Sequence, residues 1–264
     1  FLYPNTDEGR TAALTEYQRI LDEVDAALGP YFNVRPKAKL KVERVPEFRE
    51  KTSAGAYYQM GDMSGTRPGV FYANLRDMAE IQKFGMKTLS YHEGIPGHHF
   101  QLSIAQELKG VPFFRRMVPF TAYAEGWALY TEKLAREIGM YKEDPYGELG
   151  YLDSELFRAV RLVVDTGIHH KKWTREQAIE YMEAHTASAH ESVVSEIERY
   201  IVMPGQACAY KIGEIKMVEL REKAKKALGG KFGLGAFHDV VLKNGSMPLN
   251  ILEQVVDEYI AAVK

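Results

Sequence analysis

The chain has 264 residues, of which 45% are hydrophobic and 27% are charged, a composition typical of a globular protein with a sizeable buried core. Its 34 basic and 36 acidic residues give a formal net charge of -2, without the basic excess that binding to a nucleic-acid backbone requires. We therefore expect no nucleic-acid partner. The single cysteine, Cys208, excludes an internal disulfide and a cysteine-rich zinc module.

The predicted elements begin with an amphipathic helix over residues 9–28, where apolar residues recur at helical spacing until a Gly-Pro pair ends the segment. Three short stretches rich in β-branched and aromatic residues follow: KLKVERV (39–45), GAYYQM (55–60) and GVFYANL (69–75). They predict a small sheet of three strands near the N-terminal side. GVFYANL is predicted to be an edge strand near the cleft, where an extended peptide could add through main-chain hydrogen bonds.

From Asp77 onward the pattern is almost wholly helical. The predicted helices cover residues 77–95, 98–109, 121–138, 147–170, 174–185, 189–202 and 205–228, and a short pair completes the chain. No repeat or flexible linker divides the sequence, so we predict one mainly α domain (α+β) over residues 1–264.

No apolar run approaches the roughly 20 residues that a membrane span needs. The sequence begins without methionine and without the pattern of a signal peptide, which suggests a fragment or a processed form. The compartment stays open between the cell envelope or periplasm, if an export signal was removed, and the cytoplasm.

The stretch SYHEGIPGHHFQ (90–101) carries the main chemical signal. It opens like the zinc-peptidase motif H-E-x-x-H, but four residues separate Glu93 from the next histidine. Catalytic zinc usually takes three protein ligands from His and Asp/Glu and leaves one position for water. We therefore predict a metal site that uses His92 and either His98 or His99.

A regular helix could not bring these histidines to one ion. His98 would lie roughly 9 Å along the axis from His92 and about 240° around it, and His99 roughly 10.5 Å along on the same face. Pro96 lacks the N–H that would bond back to His92, and Gly97 tolerates unusual dihedrals. The sequence therefore predicts a bend at Pro96-Gly97 that draws the second imidazole towards the first.

A third ligand is predicted in the segment TAYAEGWALYTEKL (121–134), whose periodic apolar face indicates a helix packed on the core. Glu125 lies beside small and aromatic neighbours in this segment and is the natural candidate. Glu132 in the same segment is its rival.

Four segments together resemble a bacterial family, domain of unknown function 885, a relative of the gluzincin zinc peptidases. They occur in family order: HEGIPGHHFQ (92–101), YAEGWALYTEKL (123–134), RAVRLVVDTGIHHKKWTREQAIEYM (158–182) and SEIERYIVMPGQACAYKIG (195–213). The resemblance runs from about residue 38 to the C-terminus. Family members are usually longer, so the chain resembles their C-terminal catalytic portion with a gluzincin-like fold.

The resemblance implies one zinc ion bound by His92, His98 and Glu125, which favours His98 over His99. It places Glu93 next to the metal-bound water, where a general base is required. It also implies that Tyr210 donates to the oxyanion, although a core tyrosine with a satisfied hydroxyl would show the same pattern. Cys208 replaces the leucine usual in the family at an apolar position, and we expect no effect on the chemistry.

Four further residues are predicted to bind substrate. Arg161 and His169 lie eight residues apart on one predicted helix, about 80° apart in direction, and could both face the cleft. Arg161 lies in an apolar run, and we expect it to pair with Asp165 at i+4; the alternative partner is a substrate carboxylate, which would imply cleavage from the C-terminus. Arg199 and Gln206 flank a turn and either position substrate or stabilise that turn.

The remaining histidines have no partner at metal-ligand spacing and are predicted to be surface or capping residues: His170, His185, His190 and His238. The predicted function is zinc-dependent hydrolysis of a peptide substrate, with Glu93 as general base. Two alternatives stay open, a metal- or peptide-binding module without turnover and a helical scaffold without metal. Glu93 beside His92 favours the enzyme, because a structural metal site needs no base.

Overall fold

The computed structural model describes residues 1–64 and 66–264, and within these ranges it contains twelve α-helices and one sheet of three strands. The helices are α1 (Asp7–Ala27), α2 (Glu47–Glu50), α3 (Met86–Glu93), α4 (His98–Glu107), α5 (Phe113–Met117), α6 (Thr121–Glu137), α7 (Pro145–His169), α8 (Arg175–His185), α9 (His190–Val202), α10 (Gln206–Leu228), α11 (Leu234–Leu242) and α12 (Leu249–Val263). The strands are β1 (Leu40–Arg44), β2 (Ala56–Gln59) and β3 (Gly69–Ala73). The prediction of a mainly α protein with a small sheet near its N-terminal side is confirmed.

The sheet has the order β1-β3-β2, with β1 parallel and β2 antiparallel to β3. Leu40 aligns with Gly69, and Ala56 aligns with Ala73. The strand in GVFYANL is therefore central, and its prediction as an edge strand is wrong. Most of β3 is buried, and Phe71 packs edge-to-face against Tyr17 of α1, so this strand takes the interior position. The edge strand beside the cleft is β2.

The region predicted as one helix over residues 77–95 differs in its first half. It forms two short 3₁₀ turns, Met78–Glu80 and Lys83–Gly85, before α3 begins at Met86. Ile81 leaves the helical region with φ -96° and ψ 84°, and both Met78 and Ile81 are buried in the core. Burial of these side chains overrides the local helical pattern.

The larger hydrophobic core joins α1, the sheet, α3, α4, α6, α10 and the two C-terminal helices, around residues such as Phe100, Trp127 and Phe237. Helices α6 and α10 meet backbone to backbone within it. A Cβ on Gly126 would lie 2.4 Å from the Cα of Gly213, so neither position has room for a side chain. This contact fixes α6, which carries Glu125, against α10, which carries Tyr210.

A smaller hydrophobic core lies among the second half of α7, α8, α9 and the start of α10. Its buried residues include Val160, Val164, Met182, Ile197 and Tyr200. The long helix α7 contributes to both cores, since Tyr151 near its start belongs to the larger one.

Of the four remaining histidines, His170, His185 and His190 are exposed as predicted. His238 is fully buried, which makes its prediction as a surface or capping residue wrong. Its Nδ1 donates to the carbonyl of Tyr31 at 2.8 Å, and its Nε2 is hydrogen-bonded to the Tyr130 hydroxyl at 2.8 Å. Burial lowers the pKa of His238 to about 4, so it is a neutral core residue at pH 7.

Within the described residues, the helices lack the combination of length and apolar character that a membrane crossing requires.

Candidate metal centre

The segment between α3 and α4 breaks the helix between the two predicted histidine ligands. Helix α3 ends at Glu93 and α4 begins at His98, and Gly97 has φ -77° and ψ -129°, outside the helical region. The indole Nε1 of Trp127 donates to the carbonyl of Pro96 at 2.9 Å and anchors the break on α6. The predicted bend at Pro96-Gly97 is confirmed.

The bend brings the backbone at Gly97 very close to the end of α3. A Cβ at this position would lie 1.9 Å from the carbonyl oxygen of His92 and 2.3 Å from that of Tyr91. Both contacts are with backbone atoms, which cannot move without displacing His92. The close approach therefore requires glycine.

We expect Gly97→Ala to lower the free energy of unfolding by about 1–3 kcal/mol or more, because overpacking displaces backbone, and to reduce metal binding by moving His92. Gly85→Ala is the control, since a Cβ there has no neighbour within 4 Å among the described residues. Thermal unfolding and metal content of both variants provide the measurement. Unchanged metal content in the Gly97 variant would show that the close approach does not set the site.

The bend places His92, His98 and Glu125 together. The distance from His92 Nε2 to Glu125 Oε2 is 3.5 Å, and that from His98 Nε2 to the same oxygen is 3.2 Å. One donor atom from each of the three residues lies within 4.8 Å of the others. Tetrahedral zinc with bonds of about 2.0–2.1 Å separates its ligand atoms by roughly 3.3 Å. The three residues therefore fit a single zinc ion after small adjustments.

His99 belongs to a different environment. It is buried, and its Nδ1 lies 3.0 Å from the hydroxyl of Tyr58 and 3.3 Å from that of Ser103. Burial lowers the pKa of His99 to about 4. The geometry therefore separates the two adjacent histidines, with His98 at the candidate metal centre and His99 in the packing between α4 and β2.

Glu132, which the sequence offered as a rival to Glu125, lies behind His92. The Nδ1 of His92 donates to Glu132 Oε1 at 2.7 Å, and Ser154 Oγ donates to Glu132 Oε2 at 2.8 Å. Protonation of Nδ1 leaves Nε2 with a free lone pair, which is how carboxylates prepare histidine ligands for metals. The sequence signal for this role is spacing, because residues seven apart on a helix share one face.

Burial and pairing have opposite effects on the protonation of the cluster. Burial disfavours the charged form of His92, but hydrogen bonds to Glu125 and Glu132 outweigh it and raise its pKa to about 9. Burial also disfavours ionised Glu125, yet the two imidazoles hold the pKa of this carboxyl well below its ordinary value. The centre thus holds ionised carboxylates that attract positive charge, and a cation can replace the imidazole protons.

A cleft of about 810 Å³ opens at this centre, which is within the usual range for ligand pockets. Its walls include the three candidate ligands together with Glu93, Tyr210, Arg158, Arg161 and Arg199, and residues 51–58 around β2. Glu93 is 8% exposed. The ring of Tyr210 stacks on that of His92, with centroids 6.1 Å apart, and Gln206 Nε2 donates to the Tyr210 hydroxyl at 3.1 Å.

The structure does not pair Arg161 with Asp165. Arg161 Nη2 donates to Glu196 at 2.7 Å, whereas Asp165 accepts from the backbone N–H of Gly205 at 3.1 Å. The predicted i+4 pair does not form, because the Asp165 carboxylate accepts the hydrogen bond of the Gly205 backbone N–H and Arg161 pairs with Glu196.

Of the other predicted substrate-binding residues, Arg199 lines the cleft, whereas Gln206 and His169 do not line it and form hydrogen bonds to residues around it. Arg199 lines the cleft and donates to Gln206 Oε1 at 2.7 Å. Gln206 thus links Arg199 to Tyr210. The Nε2 of His169 donates to the carbonyl of Tyr200 at 2.9 Å and joins α7 to α9, so of the pair on α7 only Arg161 lines the cleft.

Arg158 and Glu196 are among the charged residues of the cleft that sequence reasoning missed. Arg158 precedes Arg161 by three positions, and this spacing on one helix face is the signal that could have found it. Glu196 gives no local signal, because it is 35 residues from Arg161 and reaches it only through the packing of α9 on α7.

Two solved structures resemble the chain closely in fold. One, a "putative lipoprotein" from Colwellia psychrerythraea, shares 48% identity with a TM-score of 0.97 over 99% of this chain and 45% of that chain. The other, a "putative lipoprotein of unknown function" from Shewanella oneidensis, shares 24% identity with a TM-score of 0.75 over 97% of this chain and 50% of that chain. The chain thus spans about half of each protein.

A comparison with curated proteins gives no match. A family match covers residues 1–256, which extends the resemblance in the sequence to the start of the chain. The matched family carries the description "Bacterial protein of unknown function (DUF885)". With a match over almost its whole length, the chain belongs to this bacterial family.

Proposed function

We propose that the chain is a gluzincin-like peptidase domain that hydrolyses peptide bonds with one zinc ion held by His92, His98 and Glu125. The observation that carries the proposal is the convergence of these three side chains on a cleft that Glu93 also lines. Zinc held by these residues would supply a Lewis acid to polarise the scissile carbonyl and to lower the pKa of water. A purely structural metal site would have no use for the adjacent carboxylate or for the open cleft.

Glu93 acts as the general base in this proposal. Its carboxylate accepts a proton from the attacking water and then gives it to the leaving amine, a cycle in which acid and base roles are taken by one residue. Glu93 is the last residue of α3 and follows His92 directly, so the helix that positions one ligand also positions the base.

Tyr210 stabilises the oxyanion. Burial raises the pKa of this tyrosine, so the hydroxyl keeps its proton at neutral pH. Gln206 donates to the hydroxyl oxygen, which leaves the hydroxyl proton available for the substrate. A hydrogen bond that strengthens as negative charge develops on the substrate oxygen accelerates the reaction.

The edge strand β2 binds the substrate main chain. Within the described residues, β2 pairs with β3 on one side only, and the segment from Lys51 to Tyr58 lines the cleft. An extended peptide can add to such an edge by backbone hydrogen bonds. In this proposal β2, and not the strand in GVFYANL, is the edge strand to which the peptide adds.

The lipoprotein descriptions of the two similar structures support the cell envelope over the cytoplasm as the location of this chain.

Zinc content tests the metal centre. After dialysis against zinc and removal of the excess, we expect atomic emission to give one zinc per chain in the wild-type protein. His92→Ala should lower the zinc affinity at least about tenfold, since even the residues that support metal ligands contribute this much. His170→Ala is the control, because His170 is exposed and follows directly after the last residue of α7. Equal zinc content in wild type and His92→Ala would overturn the assignment of the ligands.

Turnover of a fluorogenic peptide mixture, with and without chelator, completes the test. Hydrolysis that stops on chelation and returns with zinc is the expected result. Zinc binding without any hydrolysis would leave a non-catalytic binding module, and the absence of both would leave a helical scaffold.

A further inference from the structure

The wall of the cleft formed by α7 and α9 contains an arginine with unused hydrogen-bonding capacity. Arg161 is 7% exposed; its Nε donates to the hydroxyl of Tyr200 at 2.7 Å and its Nη2 donates to Glu196 at 2.7 Å. Its Nη1 has no acceptor among the described residues, although it is buried. A buried charged donor without an acceptor is unfavourable, so this atom calls for a partner that the protein does not supply.

The side chains around Arg161 also carry more positive than negative charge. Arg199 donates to both oxygens of Glu196, at 3.1 Å and 2.8 Å, so two guanidinium groups share a single carboxylate. Arg158, on the same face of α7, has a buried Nε without an acceptor in the described part of the chain. Its nearest carboxylate is Glu132 at 3.6 Å, which is already bonded to His92. This wall therefore carries excess positive charge and attracts an anion.

The guanidinium of Arg161 is also held rigidly and close to the metal centre. It lies 4.5 Å from the ring centroid of Phe157 and 4.6 Å from that of Tyr210, and such stacking restrains a guanidinium plane. Tyr210 stacks on His92 as well. One aromatic side chain thus contacts both the arginine and a candidate metal ligand.

We propose that Arg161, assisted by Arg158, binds the C-terminal carboxylate of the peptide substrate, so that the enzyme removes one or two residues from the C-terminus. This inference rests on the proposed function. Arginine recognises carboxylates through paired N–H groups, and Nη1 of Arg161 and Nε of Arg158 are buried guanidinium donors on this wall without an acceptor among the described residues. An extended chain advances about 3.3–3.6 Å per residue, so only a short C-terminal segment fits between the metal centre and a guanidinium one aromatic ring away.

The reaction remains a simple hydrolysis. Water forms a C–O bond at the carbonyl carbon of the scissile bond, and the C–N bond breaks. One proton of the water passes to the leaving nitrogen, which departs as the amine of a free amino acid or dipeptide. Arg161 and Arg158 take no part in the bond changes and act by positioning the carboxylate of the departing product.

Two peptides of identical sequence, one with a free C-terminal carboxylate and one with a C-terminal amide, test the inference in the wild-type protein. We expect cleavage of the free-acid peptide at its last or penultimate bond, identified by mass spectrometry, and a loss of about 100-fold in kcat/KM for the amide. Equal cleavage of both peptides, or cleavage at internal bonds, would overturn it.

Arg161→Lys keeps a positive charge but loses the planar pair of donors, and we expect it to reduce the preference for the free acid to about tenfold or less. Arg175→Lys is the matched control, because Arg175 lies on α8 and pairs with Glu198 away from the cleft. An unchanged preference in the Arg161 variant would assign carboxylate recognition to another residue and refute the proposal.

Binding separates a failure of this inference from a failure of the proposed function. Calorimetric titration of the two peptides into the Glu93→Gln protein requires no turnover. Tighter binding of the free acid than of the amide by Glu93→Gln, and loss of this difference in the double variant Glu93→Gln/Arg161→Lys, would support carboxylate recognition. This holds even if the wild-type protein cleaves neither peptide. Equal binding of acid and amide refutes it, whatever the activity.

Discussion

Replacement of Glu93 by glutamine is expected to lower kcat/KM for peptide hydrolysis by about 10² to 10⁴-fold, the usual contribution of general base catalysis. Glutamine preserves the size and hydrogen-bonding shape of the side chain but cannot accept the proton from water. Because Glu93 is outside the group of three that can hold the ion, zinc content should stay at the wild-type level. Steady-state kinetics and atomic emission on the same preparation provide both measurements.

Glu80→Gln is the matched control for this variant, since Glu80 lines the same cleft but forms an ion pair with Arg76 at 2.8 Å. We expect it to retain activity. Wild-type turnover in Glu93→Gln would remove the base from the proposed mechanism, and simultaneous loss of zinc and activity would show that Glu93 supports the metal instead.

Replacement of Tyr210 by phenylalanine should lower kcat by about 10² to 10³-fold, which is the typical effect of removing one oxyanion donor. Phenylalanine keeps the ring that stacks on His92 and Arg161 and removes only the hydroxyl. Since the hydrogen bond acts mainly in the transition state, KM should change little. Measurement of kcat and KM separately tests this distinction.

Tyr181→Phe, on α8 and outside the cleft, removes a hydroxyl without altering the site and serves as the control. A Tyr210 variant with raised KM and unchanged kcat would assign the hydroxyl to substrate binding in the ground state. Unchanged values of both would leave Tyr210 as a packing residue.

Local patterns in the sequence predicted those features whose causes are local. Apolar periodicity located the main helices, and the Pro96-Gly97 pair predicted the break between α3 and α4 because proline and glycine act on the backbone where they stand. The convergence of His92 with His98 follows from this break. Residue properties alone could not separate His98 from His99, because the two differ only in the direction in which the break turns each side chain.

Features that depend on packing between distant segments of the chain could not be predicted from the sequence. The i+4 rule paired Arg161 with Asp165, but α9 supplies Glu196 and the start of α10 supplies a competing donor for Asp165. The strand in GVFYANL gave no sign of its central position, since strand order depends on which neighbours dock on it. His238 looked like a surface residue because the two groups that satisfy it, the Tyr31 carbonyl and the Tyr130 hydroxyl, are far away in the chain.

The two hydrophobic cores hold different parts of the cleft. The larger core surrounds the helices that present His92, His98 and Glu125, whereas Tyr200 and its neighbours in the smaller core support Arg161 and Glu196. Effects of substitutions at well-separated positions without shared partners are usually additive. Substitutions inside the smaller core should therefore act mainly on the position of Arg161 and Glu196, and substitutions inside the larger core mainly on the convergence of His92, His98 and Glu125, whereas Tyr210 contacts both His92 and Arg161 and couples the two parts.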